Sequence, residues 1–218
     1  MKLTERLRRE AENIWERIFN HPFVVELYKG ILPIDKFKFY LIQDYNYLVT
    51  MYKCLSLLSA KADYKTARVT LELAYLDATT EIENYNKLIK KFNLTIDEVT
   101  KYEPAPTNTA YMNFLLSTCS LQPLIEGLTA ILPCFWSYYE IANYHKEDLM
   151  NNPNEIYREW GSVYLGKDYI KIVEMLRDLV DRIGLDYSYE RLKYLFLLGS
   201  RYEYMFWDMA YKKESWPL

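Results

Sequence analysis

The stretch Leu132-Pro133-Cys134-Phe135-Trp136-Ser137-Tyr138-Tyr139-Glu140 sits inside a run, Leu121 to about Lys146, that reads as one long helix with Ser120 as its cap. Tyr138 follows Cys134 by four residues, which puts both on one helical face a turn apart. Pro133 removes a backbone hydrogen bond, so a kink is expected at the cysteine or one turn before it. An isolated cysteine on an apolar helix is ordinarily a core residue, because free cysteine is among the most buried residue types. The other reading is a nucleophile that gains room and hydrogen-bond donors beside the kink. The rest of the chain decides between them.

Outward from this stretch the helical period continues in both directions. The run from Ile34 to about Lys61 repeats apolar residues every three or four positions: Phe37, Tyr40, Leu41, Tyr47, Leu48, Met51, Leu55 and Leu58. Asp44 falls within that stripe. A carboxylate there costs free energy unless it is hydrogen-bonded, serves a site, or lies at the solvated edge of the stripe. Thr4 can cap a first helix that His21-Pro22 breaks, and Phe23 to Tyr28 forms a short helix ending at Gly30. Lys65 to Phe92 reads as a third long helix whose charged residues, Asp77 and Glu81 among them, form a solvated face without chemistry. Thr95-Ile96-Asp97-Glu98 has the form of a capping box. Thr109 to Cys119, Glu155 to Tyr164, Asp168 to Ile183, and a last helix capped by Ser188 complete the chain. No period-two strand run and no internal repeat occurs. The expectation is an all-α fold, a single domain over residues 1–218 built as one bundle of about eight helices.

Composition excludes several classes of function. The 218 residues carry a net charge of −3 with acids and bases interspersed, so there is no basic stripe for nucleic acid. No apolar run approaches the roughly 20 residues that span a bilayer. Met1-Lys2-Leu3-Thr4-Glu5-Arg6 leads into a charged amphipathic helix rather than a secretory leader, which points to the cytoplasm. Cys54, Cys119 and Cys134 lack paired spacing and read as free thiols. His21 and His145 form no metal-ligand pattern, and six glycines leave no phosphate-binding loop. The 22 tyrosines suit aromatic pockets and subunit interfaces.

Several helices offer a polar or reactive residue embedded in aromatics. These are Asp44 with Tyr47, Tyr111, Cys134 with Tyr138, Tyr164, and Glu203 with Phe206 and Trp207. A pocket between helices needs such a set, though periodicity alone cannot make the members converge.

Longer motifs carry more. Lys36 to Leu48, ending Asp44-Tyr45-Asn46-Tyr47-Leu48, resembles the N-terminal signature of the TenA (thiaminase II) family. Glu126-Gly127-Leu128, Leu132-Pro133-Cys134-Phe135-Trp136 and Tyr138-Tyr139-Glu140-Ile141 resemble its central motif. Tyr157-Arg158-Glu159-Trp160 through Tyr164, and Ser200 through Ala210, resemble its later ones, so the likeness runs in order along essentially the whole chain. Cys134 places the sequence with the cysteine-bearing branch. The resemblance implies a haem-oxygenase-like helical fold, usually a homotetramer, that needs no metal and no haem. It also implies hydrolysis of 4-amino-2-methylpyrimidines bearing a 5-aminomethyl group, or of thiamin, to the hydroxymethylpyrimidine of thiamin salvage.

On that resemblance the roles follow. Cys134, as thiolate, adds to a ring carbon of the pyrimidine, and Glu203 shares a proton with a ring nitrogen to make the ring electrophilic. The adduct expels the amine or thiazolium at the exocyclic carbon, water adds there, and the thiol leaves. Asp44 accepts from the 4-amino group. Tyr47 and Tyr138 hydrogen-bond near the thiol and the leaving group, and Tyr111, Tyr164 and Phe206 form aromatic walls. Two other classes stay open. One is a different enzyme on the same fold: a haem oxygenase, a pyrroloquinoline-quinone synthase relative or a di-iron oxidase. The other is a pyrimidine-binding or regulatory protein that has lost turnover.

Overall fold

A computed structural model describes residues 1–217. All thirteen α-helices among them follow in order: α1 (Leu3–Glu10), α2 (Glu12–Phe19), α3 (Pro22–Tyr28), α4 (Ile34–Lys61), α5 (Tyr64–Leu76), α6 (Ile82–Lys90), α7 (Ile96–Val99), α8 (Pro106–Leu121), α9 (Leu124–Tyr144), α10 (Lys146–Met150), α11 (Glu155–Ser162), α12 (Lys167–Ile183) and α13 (Tyr189–Lys212). A π-helical turn, Asp77–Glu81, joins α5 to α6, and a 3₁₀ turn, Val163–Leu165, follows α11. No strand occurs among the described residues.

Local chemistry sets most boundaries. His21 caps α3 with its own ring, Nδ1 accepting from the Phe23 N–H at 3.1 Å, and Pro22 takes the first helical position. Thr95 and Glu98 close the capping box of α7. Thr4 does not cap: it lies inside α1 and donates from its N–H and Oγ1 to Asp181 at 2.7 and 3.0 Å. The helix carrying Cys134 starts at Leu124 rather than Leu121. Pro123 holds Gln122 extended (φ −98°, ψ 164°), which ends α8 and lets α9 begin one residue after the proline. Pro133 stays within α9, which continues through it to Tyr144.

The chain divides into two compact units. The first comprises Met1–Pro33 and Leu128–Asp208. Its core centres on Trp15, fully buried, whose Nε1–H donates to Ser200 Oγ at 2.9 Å. Trp15 stacks on Phe196 (6.1 Å between centroids) and meets Trp136 edge-on at 5.6 Å, which ties α2, α9 and α13 together. Asn152, 1% exposed, donates from Nδ2 to the Leu27 and Tyr28 carbonyls and fixes the end of α3.

The second unit comprises Ile34–Gly127 and the chain from Met209 on. Here α4 is the spine, with α5, α6 and α8 packed against it. Ser59 Oγ donates to Thr70 Oγ1 at 2.8 Å, and Tyr85 Oη to the Leu41 carbonyl at 2.7 Å. Those two bonds set α5 and α6 antiparallel to α4. Both ends of α8 are capped by charge. Glu214 accepts from Thr107 N–H and Oγ1 at its start, and Lys61 donates to the carbonyls of Cys119, Ser120 and Gln122 at its end.

Candidate active site

The eight residues singled out in the sequence fall into two groups by unit. Cys134, Tyr138, Tyr164, Glu203 and Phe206 belong to the first, and Asp44, Tyr47 and Tyr111 to the second.

In the first unit α9 and α13 are tied at two points. At Gly199 the backbones approach so closely that an added Cβ would lie 2.9 Å from the Ala130 carbonyl oxygen and 3.1 Å from Pro133 Cγ. Only glycine fits there without displacing backbone. Further along both helices the Tyr138 and Trp207 rings meet, 5.2 Å between centroids. Gly199, Glu203 and Trp207 are spaced by four and share a face of α13. Pro133, Cys134 and Tyr138 occupy the corresponding stretch of α9. The two contacts therefore bracket Cys134 on one helix and Glu203 on the other. Glu203 is 2% exposed and Cys134 is half-buried, unlike the fully buried Cys54 and Cys119.

Aromatic rings surround this bracket. Tyr138 lies 4.9 Å from Tyr164 and 6.1 Å from Trp160, and Trp160 lies 4.9 Å from Tyr164. Tyr169 adjoins Tyr164 at 5.0 Å and donates its hydroxyl to the Phe135 carbonyl at 3.0 Å. That bond anchors α12 beside Cys134. Phe206 is buried next to Trp207 in sequence. The sequence gives Trp207 only as an aromatic neighbour of Glu203 and Trp160 only as part of a motif, and does not single out Tyr169, because a single tryptophan or tyrosine on a helix carries no sign of its partners.

Both histidines have structural partners in this unit. His145 Nε2 lies 2.8 Å from the Phe19 carbonyl, and His21 caps α3. Among the described residues no group of three or more His, Cys, Asp or Glu side chains is placed to hold a metal ion.

In the second unit Tyr47 and Tyr111, both buried, pack at 5.1 Å between centroids and join α4 to α8. Asp44 is half-buried one turn before Tyr47, and its charge acts on two neighbours. Burial, and then the Asp44 charge, raises the proton affinity of Tyr85. Burial first, then Glu81 and Asp44, raises that of Asp77 well above the carboxylate range. Burial alone raises Glu81.

Asp77 corrects the solvated-face reading of this segment. It is 9% exposed, and its Oδ2 has no hydrogen-bond partner. The signal was present: Leu73, Asp77, Glu81, Tyr85 and Ile89 recur every fourth residue, and charge on the outer positions masked the stripe.

Because the folded protein holds the Asp77 proton more tightly than the unfolded chain does, this group stabilises the fold most below the ordinary carboxylate range. The contribution is lost as pH rises through the folded-state value. Asp77→Asn is expected to melt several degrees above the parent at pH 8, with the gap closing towards pH 4. About 1 kcal/mol corresponds to about 2–4 °C in a chain of this length. Equal melting temperatures at both pH values would show that Asp77 does not titrate with folding.

Comparison with known proteins decides the family. The model of the TENA/THI-4/PQQC family matches residues 8–213. The chain belongs to this family. Among similar proteins, the aminopyrimidine aminohydrolase of Halalkalibacterium halodurans is 31% identical, over 99% of this chain and 98% of that protein. The solved TenA homologue protein from P. horikoshii OT3 is 50% identical and superposes with a TM-score of 0.94, over 97% of this chain and 99% of that one. A domain from Shewanella denitrificans OS217 described as having a heme oxygenase-like fold superposes at 0.77 over 98% of this chain and 93% of that one. At 14% identity that likeness shows the fold alone. The fold is thus the all-α, haem-oxygenase-like one, and no helix among the described residues is long and apolar enough to cross a membrane.

Proposed function

We propose that the protein hydrolyses 4-amino-5-aminomethyl-2-methylpyrimidine, or thiamin, to 4-amino-5-hydroxymethyl-2-methylpyrimidine in thiamin salvage. One observation carries the reading. The bracketed stretch of α9 and α13 bears a half-buried thiol and a buried carboxyl, in a chain related end to end to a protein named for aminopyrimidine hydrolysis.

Cys134 is the nucleophile and Glu203 the acid–base group. The thiolate forms a bond to a ring carbon while Glu203 supplies a proton to a ring nitrogen. The ring electrons then expel the protonated amine, or the thiazole, from the exocyclic carbon. Water adds to that carbon and loses a proton, the thiolate leaves as the ring recovers its aromaticity, and the ring nitrogen returns its proton to Glu203. Tyr138 hydrogen-bonds near the leaving group, and Tyr164 and Phe206 supply apolar walls. Asp44 accepts from the 4-amino group, and Tyr47 and Tyr111 bind the pyrimidine. Stacking of a flat base on an aromatic ring is worth about 1–3 kcal/mol. The whole chain acts as one functional domain, since the family match and the end-to-end relative both span the two units. The compartment is the cytoplasm, where three free thiols stay reduced. The oligomer is a homotetramer, for which the exposed Tyr64, Leu71 and Tyr75 on the outer face of α5 are available contact surface.

The test assays one preparation, sized by light scattering, against both substrates. The aminomethylpyrimidine is expected to release ammonia and thiamin to release its thiazole, with at least one turned over and a mass of four chains. No release from either substrate, with tight binding of the hydroxymethylpyrimidine, would make the protein a binder.

A further inference from the structure

The second unit contains a buried amide latch that the catalytic reading does not use. Asn108, fully buried on α8, donates from Nδ2 to the Gln43 carbonyl at 2.7 Å and to Gln43 Oε1 at 3.1 Å. Gln43, 4% exposed, also accepts on Oε1 from the Ala105 N–H at 2.8 Å and donates from Nε2 to the Glu103 carbonyl at 3.3 Å. The latch thus clasps the start of α8 to α4 at one residue. That residue matters because the Gln43 carbonyl belongs to the peptide bond leading into Asp44. In an α-helix the same oxygen accepts from the N–H of Tyr47, four residues on. Across the latch, Tyr111 follows Asn108 by three residues, about one turn, and packs on Tyr47 at 5.1 Å. Asn108 Oδ1 has no hydrogen-bond partner, a penalty that an apolar residue of the same size would avoid.

We infer that Asn108 is a positioning residue for pyrimidine binding: by clasping Gln43 it sets Asp44 and Tyr47 on α4 against Tyr111 on α8. This rests on the assignment of those three side chains to the pyrimidine. Misplacing a binding group by about 1 Å can cost up to about a hundredfold, so loss of the latch reads out in substrate affinity.

The experiment compares Asn108→Ala with Asn152→Ala, which removes a matched buried asparagine latch in the first unit. Both are assayed with 4-amino-5-aminomethyl-2-methylpyrimidine, together with Asp44→Asn. Asn108→Ala is expected to raise KM about tenfold with kcat within threefold of the parent, whereas Asn152→Ala lowers the melting temperature and leaves KM alone. An equal rise in KM for both latch variants, or no rise for Asn108→Ala, overturns the inference. If Asp44→Asn leaves KM unchanged, the underlying assignment fails instead. Should Asn108→Ala not fold, Gln43→Met removes the Oε1 acceptor with a side chain of similar length, and the same two outcomes decide.

Discussion

Cys134→Ser is expected to reduce turnover of the aminopyrimidine by at least roughly three orders of magnitude, the scale on which single removals of a nucleophile fall. A serine hydroxyl is a far weaker nucleophile than a cysteine, whose thiol reaches its nucleophilic thiolate far more readily. The exchange is nearly isosteric at a half-buried position. Stability is therefore expected to change by about 0.5 kcal/mol or less, a melting shift of about 1–2 °C. Fold and chemistry are separated by that contrast. Cys54 and Cys119, fully buried in the second unit, serve as the control, because serine there perturbs packing and leaves the reacting sulfur intact. Turnover of Cys134→Ser near the parent rate would remove the covalent step and, with it, the role of the α9 thiol.

Glu203→Gln should lower kcat by about 10²- to 10⁴-fold, the usual contribution of a positioned acid–base group, with KM changed only a few-fold. Glutamine keeps the size and one carbonyl oxygen of the side chain at a site 2% exposed, so ring binding and packing survive. What it loses is the ability to exchange a proton with the pyrimidine nitrogen. A fall confined to KM would recast Glu203 as a binding residue. An unchanged kcat would leave the carboxyl a structural role between Gly199 and Trp207.

Helical period and proline placement made the fold class legible in the sequence. The bounds of α4, Ile34–Lys61, and the capping box at Thr95 follow from local rules that the tertiary structure leaves untouched. Two local readings failed where distant partners intervened. Thr4 gives its hydroxyl to Asp181, 177 residues away, instead of capping. Asp77 is buried because the antiparallel register of α5 and α6 on α4 turns its face inward, and charge composition does not report register.

By itself the sequence determined the all-α class and nominated Cys134, Glu203 and Asp44 as the polar members of apolar helical stripes. Spacing along one helix fixes which residues share its face, and nothing more. Only the tertiary structure decided which faces meet. The close approach at Gly199 and the Tyr138–Trp207 contact bracket Cys134 and Glu203 on neighbouring helices, and the Asn108 latch fastens Gln43, beside Asp44, to the helix of Tyr111. Such pairings depend on packing between segments tens of residues apart, where one glycine or one amide sets how closely two backbones approach.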